Sequence, residues 1–324
     1  MSAFSHRAFF YRGDSEYLAD ATAFVRAGLA AGEPVAAAVP PDRLALLRAA
    51  LGEDAAGVHF TDMAMVGRNP GRIIPGVFTA FCDAQPPGRV RIIDEPVWPG
   101  RTPLEYPACV QHEALTNAAF HGRPVTILCP YDGARLPSEV LADARVTHPV
   151  VIERGREQVS AHYAPERAAA SYNIPLPAPP HAVSLDFDGQ GLRGARQFAV
   201  RIAGGFGVDE TRLDDLALTV SELTTNSVLH GGGYGVIRLW AENGQLACEV
   251  KDRGRISDPL AGRLEPPVGR PGGRGLLMVH QLADLVRDHT GPEGTAIRCY
   301  FALLPEGGQY PGSGGSPSAT GDPE

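Results

Sequence analysis

The chain has 324 residues, 44% hydrophobic and 20% charged, a composition that suits a folded protein with room for two domains. A formal charge of −8 with no basic run argues against sequence-independent nucleic-acid binding, and no direct DNA contact is expected. The longest apolar runs, such as VAAAV and VTILC, are far too short to span a bilayer. The opening MSAFSHRAFFYRGD lacks a secretory-signal pattern, so a cytoplasmic location and no membrane association are expected. Five cysteines without a CxxC pair (Cys82, Cys109, Cys129, Cys248 and Cys299) read as buried free thiols.

In chain order, residues 1–160 form a first domain in which helix-like and strand-like segments alternate. Val35–Val39, Val58–Phe60, Val90–Ile93 and Val125–Cys129 read as buried strands. Asp42–Leu51, Ile73–Phe81 and Leu104–Phe120 carry helical patterns. Unbroken apolar strands between helices predict an α/β domain with a parallel sheet covered on both faces. Residues 161–182 are rich in proline and alanine and read as a semi-rigid linker. A second domain over 183–304 starts with a helix near Leu192–Ile202 and a longer one from about Asp209 to Leu229. In the longer helix Leu213, Leu216, Val220 and Leu223 share one face. Strands Tyr234–Ala241 and Gln245–Lys251 are joined at Asn243-Gly244, a strong hairpin signal. A glycine- and arginine-rich loop over 253–274, a helix Leu276–Val286 and a strand Thr295–Leu303 complete an α+β two-layer sandwich. The tail 305–324 is too poor in apolar residues to fold and is expected to be disordered.

The motifs fall in that second domain. Glu222 and Asn226 lie four apart on the long helix, which sets a carboxylate and an amide one turn apart on one face. A carboxylate can act as general base for a hydroxyl, and an amide oxygen can hold Mg²⁺. Asp252-Arg253-Gly254 follows a strand end, where a carboxylate can accept an adenine amino group and the glycine lets a base approach the backbone. Gly272-Gly273-Arg274-Gly275-Leu276 opens a helix whose N-terminal N–H groups favour phosphate. Gly294-Thr295 offers a hydroxyl near the base. The only lysine is Lys251, so no P-loop G-K-[ST] exists and nucleotide chemistry needs another fold. Each motif alone is common; the ordered set makes a site.

These segments resemble the N, G1 and G2 boxes and the late glycine-threonine of the superfamily of gyrase, Hsp90, histidine kinases and MutL. DRGRISDPLAGR and GGRGLLMVHQLADLV are most similar to the anti-sigma-factor serine kinases. The resemblance implies ATP and Mg²⁺ as cofactors. It implies Glu222 as the base activating a serine or threonine on a STAS-type anti-anti-sigma partner, Asn226 as the Mg²⁺ ligand and Asp252 with Gly254 at adenine. Gly272, Gly273, Arg274, Gly275 and Leu276 would lie at the phosphates and Thr295 beside the base. GEPVAAAVPP, RIIDEPVWPGRTPLEYPACVQHEALTNAAFHGRPVTILCPYD and ADARVTHPVV resemble the MEDS sensory domain, which implies a RecA- or KaiC-like fold without its P-loop. The two in this order resemble RsbA-type anti-sigma regulatory proteins. They imply a sigma factor as a second partner, a small-molecule signal at the N-terminal domain and a homodimer as a possible assembly. A non-catalytic ATP-binding partner switch and a histidine kinase are the alternatives.

Glu113 and Asn117, in HEALTN, repeat the E-x-x-x-N spacing with no glycine loop behind them. They read as the polar face of a sensor helix, and His112 beside them does not read as a phosphoacceptor. Glu95, Trp98, His112, His121, Cys129 and Asp132 lie near predicted strand ends, where open parallel sheets bind ligands. Their spacing is not that of a metal motif, and packing is the favoured reading of Cys129.

Overall fold

A computed structural model describes residues 4–266 and 273–304. The first half runs β1 (Ser5–Tyr11), α1 (Gly13–Ala30), β2 (Val35–Val39), α2 (Pro41–Leu51), β3 (Val58–Asp62), α3 (Met63–Val66), α4 (Ala80–Asp83), β4 (Val90–Asp94), α5 (Tyr106–Ala119), β5 (Val125–Asp132), α6 (Ser138–Thr147), β6 (Val150–Glu153), β7 (Arg156–Val159) and α7 (Pro165–Ser171). The second half runs β8 (Val183–Asp188), α8 (Leu192–Gly205), α9 (Glu210–His230), β9 (Tyr234–Glu242), β10 (Gln245–Asp252), α10 (Gly275–Leu282), β11 (Leu285–Gly291) and β12 (Gly294–Ala302).

The first sheet has the order β3-β2-β4-β5-β1-β6-β7, all neighbours parallel except the β6–β7 hairpin. Alternation along its strands divides the core in two. Phe9, Tyr11, Ala37 and Val39 face α1 and α2, while Ala8, Phe10, Ala36 and Ala38 face the side that holds Phe78, Cys109 and Phe120. The expected parallel sheet covered on both faces is present, with one antiparallel edge strand added. The expected helix from Ile73 begins as a π-helical turn, Ile73–Thr79, before α4. Pro75 inside it has no N–H to give to the regular ladder.

The second sheet is antiparallel, in the order β11-β12-β10-β9-β8. Asn243 and Gly244 both take positive φ in the β9–β10 turn, as the Asn-Gly pair demands. Phe187, Ile237, Leu239, Cys248 and Val250 pack under α8, α9 and α10 on one face. On the other, Trp240, Ala247, Leu285 and Tyr300 are buried against Leu104 and Ala108 of the first half and against Ala178 and Ala182. The sheet is therefore covered on both sides, with the first half forming one cover.

Two segments depart from the expected pattern. The helix expected over Leu276–Val286 stops at Leu282, and Leu285 begins a strand opposite Tyr300. Helical periodicity in LLMVHQLADLV continues past the break, but the carbonyls of His280 and Ala283 are taken by side chains from elsewhere, and 285–291 pair with 294–302. Residues 165–171 form a helix whose Ala168 packs against Val110 and Ala114 of α5. The expected disordered tail, 305–324, lies outside the described residues.

Candidate functional site

Helix α9 is set by an N-cap, the Asp209 carboxylate accepting the N–H of Thr211 at 2.9 Å. Leu216, Val220 and Leu223 are buried on the sheet side, which leaves Glu222 and Asn226 half-buried on the flank. Across from them begins α10. A Cβ on Gly275 would lie 2.5 Å from Glu222 Oε2 and 3.4 Å from Asn226 Nδ2, so only a glycine lets the helix start so close to both groups. Among the described residues the N-cap residue Arg274 makes no side-chain cap bond, and the first-turn N–H groups of a helix favour anions. Gly273 takes φ of +85°, a left-handed conformation suited to glycine. Gly272 lies outside the described residues.

Asp252 closes β10 beside these groups. Its Oδ2 accepts the hydroxyl of Ser227, the neighbour of Asn226, at 2.6 Å, and its Oδ1 accepts the Gly254 N–H at 2.7 Å. A carboxylate has about four lone-pair positions, so it retains capacity for a further donor. Gly254 passes so near α9 that a Cβ would sit 2.6 Å from the His230 carbonyl, and a side chain on Gly294 would overlap the Asp252 backbone. Thr295 donates to the Gly254 carbonyl at 2.9 Å and meets the Thr290 hydroxyl at 3.0 Å. The helix end, strand end and final hairpin thus meet around one carboxylate. Beside them Ile256, Leu276, Thr290 and Ile297 line a cavity of about 220 Å³. Gln111, Leu115 and Asn173 complete its wall from the first half and the connecting segment.

The contacts between halves are specific. Asn69 donates to the carbonyls of His280 and Ala283, at 2.9 and 3.3 Å, and Arg72 reaches the same two at 2.8 and 2.6 Å. Asn173 pairs with both backbone groups of Thr290, and Arg287 donates to Leu104. A second cavity, about 930 Å³, lies on the other sheet face between Lys251 and the prolines of 175–180.

The sensor-half candidates separate. Glu95 is buried, accepts from Tyr11 at 3.3 Å, and burial pushes its carboxyl up to about 8. Asp132 is buried near Arg43. Trp98 is half-buried under the Arg101 guanidinium, 3.8 Å from the ring centre, and His121 is exposed and joins no cluster. His112 is fully buried 3.4 Å from Asp94, and burial lowers it to about 3. Such a ring offers no surface nitrogen to a phosphoryl donor. Cys129 packs in the core, as expected, and its sulfur lies 3.4 Å from His6 Nε2. Glu113, expected on a polar face, is only 1% exposed. Residue spacing gave no sign of His6, Tyr131 or His148, which topology alone brings to Glu113.

Residues 5–149 match the family model of the MEDS domain, the methanogen/methylotroph DcmR sensory domain. Residues 187–301 match that of the histidine kinase-like ATPase domain. The chain carries a MEDS domain joined to a histidine kinase-like ATPase domain. A crystal structure of the RsbU and RsbW domains of a Mycobacterium tuberculosis protein is similar at 22% identity with a TM-score of 0.30, covering 39% of this chain and 33% of that one. The match thus spans about a third of that protein's length. No curated protein matches the chain significantly. Among the described residues no helix is long and apolar enough to cross a membrane. The motif set Glu222, Asn226, Asp252, Gly273–Leu276 and Thr295 lies wholly within the ATPase domain, and the buried polar cluster lies wholly within the MEDS domain.

Proposed function

We propose that the chain is a signal-responsive anti-sigma regulator of RsbA type that acts in the cytoplasm. In this reading residues 1–160 sense, 161–182 connect, and 183–304 bind Mg·ATP and phosphorylate a serine or threonine on a STAS-type anti-anti-sigma protein or hold a sigma factor. The observation that carries it is the meeting of Glu222 and Asn226 at Gly275, the start of α10, beside Asp252. The glycine approaches at 254, 275 and 294 and the spare acceptor capacity of Asp252 fit a nucleotide.

Bound Mg·ATP supplies an electrophilic γ-phosphoryl group. Asp252 would accept the adenine amino group, with Thr295 beside the base and the apolar Ile256 and Leu276 lining the adjoining cavity. The Asn226 amide oxygen would hold Mg²⁺, a hard cation that selects oxygen ligands. Gly273, Arg274 and Gly275 present backbone N–H groups to phosphate. Glu222 takes the proton of the incoming hydroxyl on its carboxylate.

The grip of Asn69 and Arg72 on α10 supports control by the sensor. An eight-residue helix is about 12 Å long, so a shift at residues 69–72 is carried along a rigid rod to the phosphate end. Incubating the full-length protein with labelled Mg·ATP and a panel of STAS proteins tests the reading. Label transfer to a partner serine or threonine, lost in Glu222→Ala, is expected. Tight ATP binding with no transfer to any partner would favour the non-catalytic switch instead.

A further inference from the structure

Four side chains far apart in sequence converge inside the MEDS domain: His6 on β1, Glu113 on α5, Cys129 on β5 and His148 just after α6. All four are fully buried or within 1% of it, and one ligand-type atom from each lies within 4.8 Å of all the others. His6 Nε2 is 3.1 Å from Glu113 Oε2, His148 Nε2 is 3.4 Å from the same oxygen, and Cys129 Sγ is 3.4 Å from His6 Nε2 and 3.8 Å from Glu113 Oε2.

The outer hydrogen bonds fix what these atoms are. Asn117 gives its amide N–H groups to the carbonyls of Glu113, Ala114 and Thr147, so the oxygen facing His6 Nδ1 is an acceptor and Nδ1 must carry a hydrogen. His148 Nδ1 faces the Ala144 carbonyl at 2.8 Å, which also requires a hydrogen there. With its hydrogen on Nδ1, each neutral ring turns an Nε2 lone pair inward, and His148 Nε2 has the 3.4 Å contact with Glu113 Oε2 as its polar neighbour. Tyr131 donates to the outer oxygen Oε1 of Glu113 at 2.6 Å, which aims Oε2 at the same point. Two nitrogen lone pairs and a carboxylate oxygen thus meet in a dry interior with a thiol beside them. That convergence is repulsive unless a positive charge, a proton shared with Glu113 or a metal ion, lies between them.

We propose that His6, Glu113, Cys129 and His148 form a tetrahedral binding site for a zinc-type divalent ion in the MEDS domain. Zinc bonds of about 2.0–2.1 Å to nitrogen, 2.0–2.2 Å to oxygen and 2.3 Å to sulfur place tetrahedral ligand atoms roughly 3.2–3.6 Å apart. Four of the six separations, 3.1–3.8 Å, bracket that range, and all six lie within 4.8 Å. Mixed imidazole, thiolate and carboxylate donors suit zinc rather than magnesium or calcium. Two neutral imidazoles, one thiolate and one carboxylate exactly cancel the charge of a divalent ion, so the buried complex is neutral. On binding, the Cys129 thiol loses its proton to solvent as the sulfur–metal bond forms, and no electron moves. The outer contacts from Asn117, Ala144 and Tyr131 are of the kind that orient metal-bound histidine and carboxylate. Four protein ligands leave no open position, so the ion would be structural or sensory rather than catalytic. A second group, Asp94, His112 and Glu113, shares one residue with this site. It supplies only three donors and no sulfur.

The site stands independently of phosphotransfer. Full-length protein produced with zinc and desalted should carry about one zinc per chain by elemental analysis. X-ray absorption at the zinc edge should show one sulfur and three nitrogen or oxygen neighbours. Cobalt-substituted protein should show a thiolate-to-cobalt charge-transfer band and intense tetrahedral d–d bands. Cys129→Ser should lose the charge-transfer band, and His148→Ala should cut metal content several-fold, while Cys109→Ser changes neither. Wild-type protein that takes up no stoichiometric zinc or cobalt overturns the proposal, as does a sulfur count other than one. The wild-type measurements decide the matter even if a variant does not fold.

Discussion

Glu222 with Asn226 on α9 and Glu113 with Asn117 on α5 have the same spacing on helices of the same protein. The first pair lies half-buried at the edge of a loop-to-helix junction, with a glycine where a side chain would block it. The second lies under a parallel sheet, its carboxylate enclosed by two histidines, a cysteine and a tyrosine. The helix decides only that carboxylate and amide share a face. What packs over that face decides whether they meet a passing substrate or a fixed interior partner. At α9 the neighbours come from positions 252 and 275, and at α5 from positions 6, 129 and 148.

The contrast predicts that the two glutamates fail in different ways. Glu222→Ala should lower phosphotransfer by roughly 10²–10⁴-fold, the usual contribution of a general base. Its stability to urea should stay within about 0.5 kcal/mol of wild type, since the site is half-open. Equal loss of stability and rate would erase the distinction. Glu113→Ala should destabilise the fold by roughly 3–5 kcal/mol, because it leaves buried partners unpaired. Urea denaturation of the full chain measures this, and a near-neutral result would mean the cluster is not held by its carboxylate.

Asp252→Ala should weaken ATP binding by about 1–3 kcal/mol, the cost of leaving a donor unsatisfied. Calorimetry with Mg·ATP reads the change, and Asp252→Asn should recover part of it. A separate effect is in pH dependence. Glu95 titrates at about 8 in the folded chain against an ordinary 4.5, so the folded state holds its proton more tightly. Stability therefore falls as pH rises from about 4.5 to about 8, by at most roughly 1.4 kcal/mol per unit, and levels off above. Glu95→Gln should flatten that difference in denaturation curves taken across the range, and an unchanged slope would place the proton elsewhere.

Much of this was legible in the residues, for reasons the structure makes plain. The apolar stripe Leu216, Val220 and Leu223 and the Asn243-Gly244 turn depend on local chemistry, and both appear where expected. Glu222, Asn226, Asp252 and Gly275 are brought together by elements whose order in the chain announces them. The break after Leu282 was not legible, because the carbonyls that end α10 are held by Asn69 and Arg72, some 210 residues away. Nor was the cluster at Glu113. The pairing of β1 with β5 and β6 places His6 beside Cys129 and His148, and nothing in the run SHRAFFY signals that pairing.

Lys251 is the one lysine in the chain and immediately precedes Asp252. Strand alternation turns its side chain to the opposite face, into the cavity walled by the 175–180 segment. The protein therefore has one ε-amino group, set where the connecting segment lies against the ATPase sheet and not in the nucleotide cleft. An amine-reactive, polarity-sensitive dye placed there would report lifting of that segment without touching the motif residues. A lysine-specific protease has one bond to attack, in the middle of a five-stranded sheet. Its rate of cutting would measure how often that strand leaves its neighbours.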